Sequence, residues 1–115
     1  MSTITEHASG TATIGSTEWS LTNNSSTKAT NTTNGAVQVV LDLSALANGD
    51  VFELYIWEKV VSGGSQKRLR RVTYTGVQPD EGDVTPSVML KHGWDFTLKK
   101  ISGTDRSITW SIRLV

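Results

Sequence analysis

The chain predicts an all-β fold, a single antiparallel β-sandwich of jelly-roll or Ig-like type with about seven or eight strands and an extended polar N-terminal arm. Three observations carry this. Residues 51–57 (Val-Phe-Glu-Leu-Tyr-Ile-Trp), 94–98 (Trp-Asp-Phe-Thr-Leu) and 108–114 (Ile-Thr-Trp-Ser-Ile-Arg-Leu) alternate apolar and polar side chains with a period of two. Strands send successive side chains to opposite faces, so this period marks half-buried sheet. Turn signals separate such runs at short intervals, and no stretch carries a helical period.

The 115 residues fit one small domain, with surface enough to bury a single core. Eleven basic and eleven acidic residues cancel, so no global field favours nucleic acid or an anionic membrane as partner. Cysteine is absent, which removes disulfides and thiolate chemistry. No apolar run reaches the roughly 20 residues of a membrane-spanning helix. The first residues lack the basic and apolar regions of a signal peptide, which leads us to expect a protein made and used inside a cell, or built into a particle there.

Composition divides the chain into an arm, residues 1–35, and a sandwich domain, residues 36–115. More than half of the arm is Ser, Thr or Asn. Such a tract cannot bury enough apolar area to offset the entropy of ordering it. Residues 11–21, which include Ile14, Trp19 and Leu21, read as a conditional strand awaiting an edge. The arm is therefore expected to stay loose until assembly orders it.

Within the domain, Val37, Val39, Leu41 and Leu43 define one apolar face of the next strand. Leu46 caps the core, and Asn48-Gly49-Asp50 marks a turn. The strand at 51–61 places Phe52, Leu54, Ile56 and Val60 on one face and Val51, Glu53, Tyr55, Trp57 and Lys59 on the other. Its partner at 67–77 keeps apolar sets together when Phe52 faces Tyr74 and Leu54 faces Val72. That register requires an odd loop, Ser62 to Gly64 or a five-residue equivalent. Alternation then sends Arg68 and Arg70 to one face and Lys67, Leu69 and Arg71 to the other, with Glu58 opposite Arg68. The acidic segment 78–86, holding both prolines, is expected to cross between sheets. A short strand at 87–91 ends at His92-Gly93. Residues 94–101 and 106–115 are expected to form a closing hairpin.

Little here supports catalysis. His7 and His92 are the only imidazoles, and neither belongs to a nucleophile–base–orienter set. Asp80, Glu81 and Asp83 lack calcium-loop spacing, so no metal or cofactor is expected. The Lys67–Arg71 cluster reads as ion-pairing or interface charge, since a nucleic-acid stripe needs aromatics interleaved on one face. Tyr55 and Trp57 lie opposite the core face, and large apolar groups there usually mark a partner surface. Ile14, Trp19, Tyr55, Trp57, Leu69 and Arg71 are the candidate protein-interface residues; cover by the arm or the acidic loop is the competing reading for the aromatic pair.

Residues 57–66 and, above all, 90–113 (Leu-Lys-His-Gly-Trp-Asp-Phe-Thr-Leu-Lys-Lys-Ile-Ser-Gly-Thr-Asp-Arg-Ser-Ile-Thr-Trp-Ser-Ile-Arg) resemble small tailed-bacteriophage proteins of the virion-structure module. The likeness runs over about residues 37 to 113. It implies a non-enzymatic structural protein of the virion, most similar to capsid decoration (cement) proteins. Its expected partner is the major capsid protein, and a homo-oligomer, trimer or dimer, is expected on the particle. No residue-level role carries over. The alternative is a tail- or fibre-associated sandwich that binds a host-surface glycan through Tyr55, Trp57 or Trp19.

Overall fold

The computed structural model describes residues 3–115. Nine strands run in the order β1 (Thr5–Ile14), β2 (Trp19–Ser20), β3 (Gly35–Asp42), β4 (Val51–Lys59), β5 (Gln66–Thr75), β6 (Gly82–Val84), β7 (Val88–Leu90), β8 (Asp95–Ser102) and β9 (Arg106–Leu114). They form two antiparallel sheets, β1-β9-β3-β6 with β7 also on β3, and β2-β8-β4-β5. The sheets pack as a β-sandwich. β6 and β7 pair with successive parts of β3, so together they act as one interrupted strand. Pro86 lies at the interruption, where a missing N–H is tolerated. Thr85 bridges the gap, its N–H donating to the Val39 carbonyl and its hydroxyl accepting the Val39 N–H. Apart from that break and the β4–β5 hairpin, every connection crosses from one sheet to the other. This is jelly-roll order; an Ig sandwich keeps more sequential strands in one sheet.

The inward faces are those that alternation predicts. Val37, Val39, Leu41, Ile108, Trp110 and Ile112 from one sheet meet Phe52, Leu54, Ile56, Phe96 and Leu98 from the other, and all are buried. The acidic segment crosses between sheets, and the Tyr74 hydroxyl donates to Asp83 across the sandwich edge.

Three expectations are corrected. β8 and β9 do not form a hairpin: they lie in different sheets and face each other across the core. Alternation reports which face is apolar, and an arch presents the same pattern as a hairpin. The polar arm is also not separate. β1 pairs with β9 over its length, placing Ala8 opposite Ile112, Gly10 opposite Trp110 and Ala12 opposite Ile108. Its inward residues are small because Trp110 occupies the space: a Cβ on Gly10 would lie 2.9 Å from the Trp110 ring. Ile14 and Leu21 are fully buried. Finally, the β4–β5 register matches Phe52 with Tyr74 and Leu54 with Val72, but the connecting loop is even, residues 60–65. A β-bulge that absorbs Leu69 restores the parity.

Asp50 ties the β3–β4 turn to the β8–β9 arch. Its carboxylate accepts the Ala47 and Thr104 N–H groups and pairs with the Arg106 Nε at 2.7 Å. Gly103, at φ +93, closes on this cluster; a Cβ there would overlap Asp50.

Two predictions follow from this packing. Gly10→Val should lower stability by about 1–3 kcal/mol by overfilling the space under Trp110, read from chemical denaturation; an unchanged midpoint would mean that β1 is not docked. The Asp50 carboxyl is held from 3.8 down to about 2, chiefly by Arg106. A depressed folded value adds stability above pH 3.8 that is lost as pH falls towards 2. Asp50→Asn should flatten the acid limb of the stability profile in that window.

Candidate protein-interface site

The outer face of the β2-β8-β4-β5 sheet holds the aromatic pair. Tyr55 is 3% exposed, whereas Trp57 is half-buried. Their rings meet edge-on with centroids 6.4 Å apart. The Trp57 indole N–H donates to Thr97 Oγ1 at 2.9 Å, and that hydroxyl donates to Glu18 at 2.6 Å. The Lys28 ammonium sits 3.2 Å from the Trp57 ring centroid. Cover by the N-terminal segment thus accounts for much of the burial on this face.

Beside it, the Tyr55 hydroxyl donates to Glu53, which also accepts from Thr73 and faces Arg71 at 3.7 Å. The Tyr55 hydrogen bond is the main cause holding the Glu53 carboxyl below its usual range. Burial, with Glu53 adjacent, pushes the Tyr55 hydroxyl up to about 12. It stays protonated and serves as a fixed donor.

The Leu69 bulge redistributes the basic cluster. Arg68 pairs with Trp57 instead of Glu58 and joins the outer face, its guanidinium carbon 4.6 Å from the Tyr55 ring centroid. Glu58 faces Lys67, and its carboxylate accepts the Lys91 and His92 N–H groups. Strict alternation had assigned Arg68 to the core side. One extra residue reverses that assignment, and nothing in the local sequence marks the bulge.

The interface candidates therefore separate. Tyr55, Trp57 and Arg71 share this face, and Leu69 lies on the same hairpin, 50% exposed. Ile14 is buried in the core and offers no surface. Trp19 packs against the core edge, its indole N–H donating to Asn24. The sequence reading missed Lys28, Glu18 and the exposed Val61 beyond the end of β4, and its alternation had put Val60, which is 72% exposed, on the core face with Arg68. The two valines were visible as consecutive apolar residues beside a glycine turn.

His7 is the bulged residue of β1, with its ring 5.1 Å from that of Trp94. No group of three potential metal ligands occurs among the described residues. A concavity of about 460 Å³ lies on the opposite sheet. Its Glu6 and Asp42 carboxylates are each held low by a neighbouring serine hydroxyl, Ser111 and Ser44.

No protein-family model matches the chain, and no curated protein matches it. The crystal structure of a Yersinia pseudotuberculosis-derived mitogen superposes with a TM-score of 0.54 at 16% identity, over 100% of this chain and 88% of that one. At that identity the likeness is one of fold, and residue roles must rest on this chain's own contacts. Thr97→Val tests one. It keeps the shape but removes the acceptor for Trp57, so it should cost about 1–3 kcal/mol; a neutral effect in denaturation would show that the Trp57–Thr97–Glu18 chain contributes nothing.

Proposed function

We propose that this chain is a non-enzymatic docking module of a tailed-phage particle, a head decoration protein that binds the outer capsid surface and stabilises the shell. The sequence blocks at 57–66 and 90–113 support the context. The observation that carries the docking role is the β4–β5 hairpin. It presents Val60, Val61 and Leu69 at 72%, 62% and 50% exposure, next to Arg68 stacked on a buried tyrosine. Exposed apolar side chains beside an oriented arginine have the composition of an interface centre. Its partner is the major capsid protein, contacted at many symmetry-related positions, so that modest contacts sum to a large effect.

The glycan-binding alternative is less well served. A sugar stacks on an open aromatic face, and Lys28 occupies the Trp57 ring. The Trp19 indole N–H is already donated to Asn24.

Co-sedimentation with capsids tests the reading. Trp57→Ala is a poor probe because its indole N–H is part of the fold. Leu69→Asp and Arg68→Glu change exposed side chains and should leave stability intact while weakening binding by about 2 kcal/mol or more. Trp110→Ala, by contrast, should cost about 3–5 kcal/mol of stability. Unchanged capsid binding in both hairpin variants, or a few copies confined to the tail, would overturn the reading.

A further inference from the structure

Residues 30–34 run past the end of β4 and the turn after β7, walling a cleft of about 290 Å³. This wall is fixed from behind. Asn31 and Trp94 exchange backbone hydrogen bonds of 2.9 and 3.0 Å, and the Trp94 indole N–H donates to the Thr33 carbonyl at 2.8 Å. With Asn31 and Thr33 engaged there, the alternating residues Thr30, Thr32 and Asn34 line the cleft.

The opposite side carries the cations Lys59 and Lys91, together with His92, and Ser62 at the rim. Gly93 makes room for it: at φ +57, a Cβ there would come within 3.1 Å of the Lys59 stem. The Lys59 N–H donates to the His92 carbonyl at 2.9 Å. No carboxylate lines the cleft. The nearby Glu58 carboxylate accepts the Lys91 and His92 amides at 2.6 and 2.9 Å. Neither lysine belongs to an ion pair among the described residues. The lining is thus cationic on one side and hydroxyl- and amide-bearing on the other, with no Trp, Tyr or Phe ring.

We propose that this cleft binds a phosphate or sulfate ester carried on a hydroxylated, sugar-like molecule. Lys59 and Lys91 hold the oxyanion by charge-assisted hydrogen bonds, with a His92 ring N–H as a further donor. Thr30, Thr32, Asn34 and Ser62 take the hydroxyls. The volume is at the small end of the usual range of about 300–1,000 Å³ for ligand sites, which suits one sugar unit. A neutral sugar would leave the lysines without a partner, and a nucleobase would find only the His92 imidazole to stack on. The proposal is independent of the docking role of the β4–β5 hairpin.

The test is an amide-resolved NMR titration of the full chain with glucose 6-phosphate, inorganic phosphate and glucose. Glucose 6-phosphate should give saturable shifts at Thr30, Thr32, Asn34 and Gly93. Inorganic phosphate should need roughly tenfold higher concentration, and glucose should give no shift. The Lys59→Gln, Lys91→Gln double variant should weaken glucose 6-phosphate binding by roughly tenfold or more, with the Trp94 and Trp110 indole signals unmoved as a check on the fold. If those signals move, the single variant Lys91→Glu, at an exposed position, takes its place with the same expected loss. The absence of saturable shifts, or equal binding by wild type and variant, would overturn the site. Equal binding of glucose would remove the anion requirement, and equal binding of phosphate alone would remove the sugar; either overturns the proposed ligand.

Discussion

The fold depends on a set of buried polar anchors that hold an N-terminal third too polar to order itself. Asp95, fully buried on β8, accepts the Ala29 and Phe96 N–H groups, with Ser20 and Thr22 hydroxyls also hydrogen-bonded to it. The Trp110 and Trp94 indoles donate to the Leu21 and Thr33 carbonyls at 2.8 Å each. Burial pushes the Asp95 carboxyl up, against the pull of its hydrogen bonds. Desolvating a carboxylate is costly unless its lone pairs are satisfied, and here four groups satisfy them. The same bonds supply acceptors and donors that a Ser/Thr/Asn tract would otherwise leave to water. No buried side-chain polar atom among the described residues lacks a partner.

Both surfaces of interest inherit their shape from these anchors. With residues 22–31 held down, Lys28 reaches Trp57 and Ala29 offers its carbonyl to Gln66 of β5. Glu18, ahead of β2, meets Thr97. The aromatic face is thereby closed over Tyr55, which leaves the far end of the β4–β5 hairpin as the accessible part. The other side of the same segment forms the wall of the cationic cleft. β5 is also a sheet edge, and its Lys67, Arg68, Arg70 and Arg71 are exposed. Charge of one sign along an edge disfavours pairing with a second copy of itself, so exposed apolar residues are presented without inviting edge-to-edge aggregation.

Much of the sandwich was legible in the sequence where side chains are large. Phe52, Leu54 and Ile56, or Ile108, Trp110 and Ile112, announce both a strand and its buried face. The Phe52–Tyr74 register followed from keeping such faces together. β1 was obscured because the residues it turns inward are Ala8, Gly10 and Ala12, small to accommodate a tryptophan about a hundred positions away. The β8–β9 arch was obscured because a period of two is blind to which sheet a strand joins. Arg68 was misassigned for a different reason: the bulge at Leu69 is one residue long and moves the side chains between it and the loop to the other face, while Val72 and Tyr74 keep theirs. The candidate site was therefore legible as a hairpin but not as a specific set of side chains.

Amide hydrogen exchange on the free protein tests most directly whether these anchors integrate the N-terminal third. The account predicts that the amides of Ala29, Asn31 and Ala12 exchange with protection approaching that of Leu54 and Ile112 in the central strands, since opening them requires breaking the Asp95 and tryptophan contacts. Rapid exchange throughout residues 5–34, with full protection retained from β3 onwards, would contradict it.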